Sequence, residues 1–379
     1  MTGKERIEQA FSAEGARAFG AVTCYQGIFL RDHWEQATGS PWWAWHDPDP
    51  AVSARPWIEM LERTGEDWYP VIIGQSAEQQ RDAYLDATPE GVFRVSRSTG
   101  HRAELRREPP GGFQPDPHAD HASAAQGVRD RDRLLEVMDA LYGRPGARTL
   151  PDGCLALPQK LHMALGADHA AVGHVSAPLW RCSELWSFVE RMTLVAEQPD
   201  LIAAACDRYA EHVLDDVATL REAGARIVWI EDCTSDLVSP DAFRLFGVEY
   251  LRRLTDAIRS AGMLSVHYYC GRPDDRWRLL LDTGADGLAL EESKKGFRID
   301  IMEVAERVQG RMTLLGNIDA LRLMEHGSDA ELEAEVARQC EAGRRNGGRF
   351  VISVGSPITP GTPLGRVRAY CDFVHSIAD

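Results

Sequence analysis

Hydrophobic and polar positions follow two rhythms along this chain. In the second half, short β-like apolar runs recur as IVWIED (227–232), MLSVHY (263–268), DGLALEE (286–292), MTLLGN (312–317) and RFVISV (349–354). Between them apolar residues fall at helical spacing over 241–261, 277–282, 299–308, 330–346 and 364–377. Strand starts lie about 20 to 40 residues apart, the repeat of a βαβ unit in a parallel sheet. A further helical pattern over 199–223 opens with Pro199 and ends at Gly224, residues suited to a first turn and a C-terminal cap.

The first half is less regular. GAVTC (20–24), WYPVII (68–73) and AAVGHVSA (170–177) supply three more strand candidates and bring the total to eight. The alternation in VFRVSRSTGHRAELRRE (92–108) predicts a hairpin turning at 98–100, followed by a Pro/Gly-rich loop over 109–127. The architecture expected is a single α/β domain over 1–379, a (β/α)8 TIM barrel whose N-terminal part, 1–150, is elaborated. A doubly wound open sheet is the alternative, but neither a GxGxxG nor a GxxxxGK fingerprint is present.

In a parallel α/β barrel, chemistry gathers at the C-terminal ends of the strands. That rule selects Glu231, Asp232 and Cys233, then His267, Tyr268, Tyr269 and Cys270, then Glu291 and Glu292, Asn317 and Asp319, and finally Ser356. Apolar runs ending in polar groups at five successive strands point to a cation-binding or acid/base pocket. Within HYYCG (267–271), His267 and Cys270 are spaced to share a zinc ion if the chain turns between them. Glu291 or Glu292, with Glu231 or Cys233, would complete the ligand set. The ordinary alternative is that Cys270 packs in a turn and His267 points into the barrel wall.

Composition narrows the partners. With 42 Lys+Arg against 58 Asp+Glu, the formal charge is −16, which argues against nucleic acid. No apolar run has the length of a membrane span. The amphipathic start, with Ile7, Ala10 and Phe11 on one face, lacks the core of a signal peptide, so a cytoplasmic location is expected. The eight cysteines have no framework spacing and are expected to be free. Six of the ten tryptophans fall in the first 68 residues; packing onto the barrel is expected of them, with an aromatic wall over the pocket as the functional alternative. His118 and His121 form an HxxH pair in a loop rather than on a helix; His162, His169 and His174 flank the third strand candidate, where a satisfied structural histidine is expected, with reach of His174 into the pocket as the functional alternative.

IEDCTSDLVSPDAFRLF (230–246), the AG…HYYCG block (261–271), TGADGLALEESK (283–294), LLGNID (314–319) and SVGSPITPGTP (353–363) occur in that order. Over about 176–376 the chain thereby resembles the uroporphyrinogen decarboxylase superfamily, and in particular its zinc-dependent corrinoid methyltransferases. The resemblance implies a (β/α)8 barrel with its pocket at the C-terminal strand ends. It also implies zinc, held in that branch by an HxCG motif and a later cysteine. Cys270 and Gly271 match the motif, Tyr268 stands at the histidine position, and Ser356 at that of the second cysteine. His267 lies one residue early, and on a strand that offset turns a side chain to the opposite face. The decarboxylase branch fits less well: Arg55-Pro56-Trp57 begins its arginine motif but does not continue it, and the mouth is acidic.

The function expected is transfer of a methyl group between a small methylated compound and a corrinoid or thiol. Zn2+ would be held by His267, Cys270 and Glu291, with Asp232 and Tyr268 catalytic and Glu231, Asn317 and Ser356 contacting substrate. Any cobalamin would come from outside, on a separate corrinoid protein, and a homodimer is a compatible assembly. Two alternatives remain open: a metal-free decarboxylase or lyase using Asp232 on a small non-porphyrin substrate, and a binding protein with a degenerate site.

Overall fold

The computed structural model describes residues 1–113, 124–146, 149–294 and 296–377. Eight strands form one parallel sheet: β1 (Ala21–Val22), β2 (Trp68–Pro70), β3 (Ala170–Ser176), β4 (Ile227–Cys233), β5 (Leu264–Cys270), β6 (Gly287–Leu290), β7 (Thr313–Leu315) and β8 (Phe350–Ser353). Each falls within or overlaps one of the eight expected runs. Neighbours pair in sequence from β2 through β8, and β8 pairs with β1, so the sheet curls into a nearly closed TIM barrel.

Backbone and side-chain hydrogen bonds draw β1 and β2 together across the remaining seam. Asp67 N donates to Ala21 O (2.9 Å), and Asp67 Oδ2 accepts from Ala21 N (2.7 Å). Glu66 Oε2 accepts from both the backbone N and the hydroxyl of Thr23 (2.8 and 2.7 Å). Glu66 is 1% exposed, and burial pushes its carboxyl up to about 7.

Strand alternation divides the core in two. Ile227 and Trp229 of β4, Val266 and Tyr268 of β5, Ala289 of β6 and Val351 of β8 fill the barrel interior. Val228, Ile230, Tyr269 and Leu288 face the outer helices. A helix over Gly3–Ala10 plugs the N-terminal end of the barrel: Ile7 and Ala10 enter the interior cluster, and the Ala10 carbonyl accepts from Thr313 Oγ1 (2.8 Å). The opposite, C-terminal end is left for the site.

The outer helices occur where helical spacing placed them, including Pro199–Glu222, Asp329–Arg345 and Leu364–Ser376. The 241–261 pattern is realised as Pro240–Phe243 and Glu249–Ser260 joined through a π-turn at Arg244–Val248. The expected hairpin is present as Gly91–Ser96 paired with Arg102–Leu105, with a third strand, Ala83–Thr88, on its other edge. That strand was not anticipated, because Ala83–Thr88 carries no clear alternation of apolar and polar residues. Tryptophans of the N-terminal part pack against one another and the barrel: Trp34 meets Trp45 edge to face at 5.4 Å, Trp45 lies tilted against Trp57 at 6.2 Å, and Trp68 lies inside the barrel. Among the described residues, no helix is long and apolar enough to cross a membrane.

Candidate functional site

The C-terminal ends of β4, β5 and β6 open into a cavity of about 460 Å3. Glu231 and Cys233 from β4, Tyr268 and Cys270 from β5, Glu291 just past β6 and Ser356 just past β8 all line it. Six residues selected by the strand-end rule therefore meet in one place. Glu231, Cys233, Tyr268 and Cys270 share the inward parity of Trp229 and Val266, whose interior packing fixes the strand register, and Ser356 enters from the loop beyond β8.

Cys233 and Cys270 are register partners on adjacent strands, both partly exposed to the cavity. The contact with Cys270, with burial second, pushes the Cys233 thiol far up. Cys233 Sγ also lies 4.0 Å from Glu231 Oε1. All eight cysteines are free thiols.

One wall carries paired charge. Lys294 Nζ sits 2.9 Å from Glu291 Oε1 and 3.5 Å from Glu292 Oε1, and it donates to Ser356 Oγ. Ser356 Oγ in turn donates to Glu292 Oε2 at 2.7 Å. Burial raises the Glu292 carboxyl, against the pull of Lys294. Burial alone would lower Lys294, but Glu292 and Glu291 hold it above the usual lysine value. Gly355 lets the β8 end approach this wall, because a Cβ there would stand 2.5 Å from the Glu292 backbone nitrogen.

The other wall is aromatic and is organised around Glu231. Tyr25 OH donates to Glu231 Oε1 at 2.8 Å and Ser176 Oγ donates to Oε2 at 3.4 Å, and the Trp180 ring lines the cavity with them. Burial raises Glu231 despite these donors. Tyr25 holds a left-handed backbone, φ 57°, which turns the chain from β1 into the helix Gln26–Asp32 and brings its ring over the mouth. The Tyr25 and Tyr268 rings meet edge to face at 5.9 Å, and Tyr268 stacks on Trp229 at 4.9 Å. Phe113, Leu237 and Pro357 complete the apolar lining.

Other expected site residues lie elsewhere. His267 and Asp232 have the opposite parity and do not line the cavity. They meet on the outer side of the sheet, with His267 Nε2 3.0 Å from Asp232 Oδ2 and both side chains fully buried. The β4–β5 pairing runs unbroken from Ile227–Leu264 to Cys233–Cys270, so no bulge re-aims the histidine. The set His267, Cys270 and Glu291 is therefore corrected: its first member cannot reach the other two. Asp232 likewise does not reach a ligand in the cavity, which removes it as an acid/base there.

Asn317 spends its amide on protein. Nδ2 donates to the Glu291 and Ile299 carbonyls, and Oδ1 accepts from Gln339, so it positions the strand end rather than touching substrate. Asp319 caps the turn that follows, accepting from the Leu321 and Arg322 backbones. Tyr268 lines the cavity with its ring, but its hydroxyl is committed to the Gly355 carbonyl at 2.9 Å. His174 lies beside Tyr25 and Trp229 on the inward face of β3, where its ring keeps an exposed surface, and it is not part of the cavity lining. His118 and His121 lie outside the described residues.

The uroporphyrinogen decarboxylase family model matches residues 155–377, more than half of the chain. The chain belongs to the uroporphyrinogen decarboxylase family. A methylcobamide:CoM methyltransferase, MtaA, of Methanosarcina barkeri is 30% identical over 207 residues, covering 54% of this chain and 58% of the relative. A uroporphyrinogen decarboxylase of Gloeobacter violaceus is 23% identical over 230 residues, covering 58% and 63%. The chain thus matches less than two thirds of the length of either curated relative. A solved methyltransferase from Methanosarcina mazei superposes over 99% of this chain and 98% of its own length, with a TM-score of 0.64 and 21% identity, a likeness of fold. Both kinds of curated relative are enzymes, so the family is catalytic in each of its branches represented here.

The zinc expected from the resemblance does not fit this donor set. Of the three ligand positions, Tyr268 replaces one and Ser356 another, and His267 faces away. Among the described residues no three His, Cys, Asp or Glu side chains converge as a metal site. Where Ser356 and Glu291 would face a metal, the Lys294 ammonium already bridges them.

Sequence reasoning missed Tyr25, Trp180 and Lys294. Tyr25 follows the first strand directly, so the strand-end rule would have found it had it been extended beyond the second half. Trp180 lies four residues past β3, at the same barrel level. Lys294 was overlooked because two glutamates, Glu291 and Glu292, drew attention to acids alone.

Proposed function

We propose that the chain is a methyltransferase that moves a methyl group between a small methylated compound and a corrinoid or thiol supplied from outside, and that the cavity over β4, β5 and β6 is its active site. The observation that carries this reading is the lining itself. It is largely aromatic and apolar, and Lys294 is the one cation among its described residues. A four-carboxylate macrocycle needs several basic groups, whereas a methyl-bearing small molecule needs a desolvated, shaped wall. Arg55, which begins the decarboxylase-like arginine string, is largely exposed on the helix Pro50–Thr64 and pairs with Glu59. The relative named for methyl transfer from methylcobamide to CoM supports the same choice.

In this reading Glu231 and the rings of Tyr25, Trp180 and Tyr268 hold the methyl-bearing group. Cys233 and Cys270 form the polarisable wall beside it. Lys294 supplies the positive charge opposite, keeping Glu291 and Glu292 buried without a metal. The acceptor is a thiol or the corrinoid of a separate protein entering at the open mouth.

The test is to incubate the purified chain with methylcobalamin and 2-mercaptoethanesulfonate and follow loss of the methylcobalamin spectrum, with uroporphyrinogen consumption measured in parallel. Demethylation of the cobalamin above the uncatalysed rate, with no porphyrinogen decarboxylated, is expected. Porphyrinogen turnover without methyl transfer would overturn the reading. Metal analysis of active protein purified without chelator is expected to find well under one zinc per chain. Stoichiometric zinc that disappears in Cys270→Ala would restore the metal.

A further inference from the structure

We infer that the methylated compound is an onium cation, a methylated ammonium or sulfonium. The inference rests on the proposed methyl transfer only for the fate of the methyl group; the binding argument stands on charge and ring placement.

Glu291 and Glu292 are balanced by Lys294, but no lysine or arginine pairs with Glu231 among the described residues. Glu231 nonetheless faces the cavity with most of its surface covered. A carboxylate taken out of water without a counter-charge is costly, and an arriving cation removes that cost. The donors that orient Glu231 are the Tyr25 and Ser176 hydroxyls. The Tyr25 ring is thus pinned by its hydroxyl to Glu231, one of two cavity carboxylates, with Asp236, that no cation compensates among the described residues, and the Trp180 ring lines the same cavity. Tyr268 stands edge to face with the Tyr25 ring at 5.9 Å, and Phe113 sits at the rim. Aromatic rings around a carboxylate suit a diffuse, weakly hydrated cation that cannot donate hydrogen bonds.

The same class of donor fits the altered ligand positions. When a methyl group leaves an onium, the bond from carbon to nitrogen or sulfur breaks and its electron pair stays on a neutral amine or sulfide. The new bond forms from the thiolate or reduced corrinoid of the proposed reaction to the methyl carbon. No proton has to reach the leaving group and no Lewis acid has to activate it. Methanol or a methyl ether would need one or the other.

Two isosteric pairs test this by titration calorimetry on the full chain: choline against 3,3-dimethylbutan-1-ol, and glycine betaine against 3,3-dimethylbutanoate. At least one onium is expected to bind about tenfold or more tightly than its uncharged-head isostere. That preference is expected to fall severalfold in Glu231→Gln and in Trp180→Leu, with both variants keeping the parent circular dichroism spectrum. Absence of preference in both pairs overturns the inference, as does a preference that both variants retain. Onium binding without any methyl transfer would leave the cation site standing and remove the transferase reading. Methyl transfer from methylcobalamin to thiol with no onium bound would do the reverse.

Discussion

Replacing Asp232 with alanine separates a residue that builds the barrel from one that touches substrate. Asp232 is 1% exposed and His267 is 0% exposed, on the face of β4 and β5 that packs against helices. Asp232 Oδ2 holds His267 Nε2 at 3.0 Å, and Oδ1 accepts from the Ser235 hydroxyl. His267 Nδ1 has no partner, so the Asp232 contact is what satisfies this ring. Alanine would orphan two buried donors at about 1–3 kcal/mol each, or about 4 kcal/mol together. With 379 residues and about 2.1 cal/mol/K of unfolding entropy per residue, the entropy at the midpoint is about 0.8 kcal/mol/K. The melting temperature should therefore fall by about 5 °C, read by calorimetry or circular dichroism. Methyl transfer, measured well below the lowered midpoint and normalised to folded protein, should stay within about twofold of wild type, because no catalytic energy is lost. A hundredfold loss of turnover with an unchanged melting temperature would refute this and return Asp232 to the active site.

Three further outcomes follow from the same geometry. Lys294→Met leaves Glu291 and Glu292 without their cation; with part of the lysine in solvent, the loss should be about 1–3 kcal/mol at pH 7 and should shrink at pH 5 as the Glu292 carboxyl, raised by burial, takes up a proton, measured by urea unfolding at both values. Glu66 has its carboxyl raised by burial to about 7 from an ordinary 4.5, so its stabilising contribution is present below pH 4.5 and is lost as pH rises through 7. Glu66→Gln should flatten that dependence and gain up to about 3 kcal/mol above pH 7 by denaturant titration; an unchanged pH profile would contradict the assignment. Gly355→Ala must push a Cβ against the Glu292 backbone nitrogen, and should cost about 1–3 kcal/mol in unfolding experiments while weakening ligand binding at the cavity.

Period and parity made most of this fold legible. The eight strands carry β-branched and aliphatic runs buried on both faces, a signal that survives without a structure, as β4 and β8 show. The site was legible to the extent that inward parity could be counted: Glu231, Cys233, Tyr268 and Cys270 follow from the same alternation that excludes His267. What could not be read were contacts between distant segments. Nothing local in the sequence says that Tyr25 will reach Glu231, 206 positions away, or that Trp180 will join it. The hairpin's third strand was hidden for a similar reason, since its register is set by Gly91–Ser96 rather than by its own pattern.

These long-range contacts change what the acidic mouth means. In the sequence, six carboxylates, Glu231, Asp232, Asp236, Glu291, Glu292 and Asp319, fall around the expected mouth, which favours a metal ion or a cationic or neutral ligand. The fold disperses them: Asp232 goes to the outer layer, Asp319 caps a turn, Asp236 accepts from the Arg272 backbone, and Glu291 and Glu292 share Lys294. Glu231 and Asp236 are the cavity carboxylates without a cationic side-chain partner among the described residues, and the aromatic rings gather around Glu231. A metal site needs several donors converging on one point, whereas a cation held by rings needs one carboxylate and their faces. The positions that depart from the family's zinc ligands, Tyr268 and Ser356, serve the second arrangement: one contributes a ring to the cavity, and the other fastens Lys294 to the opposite wall.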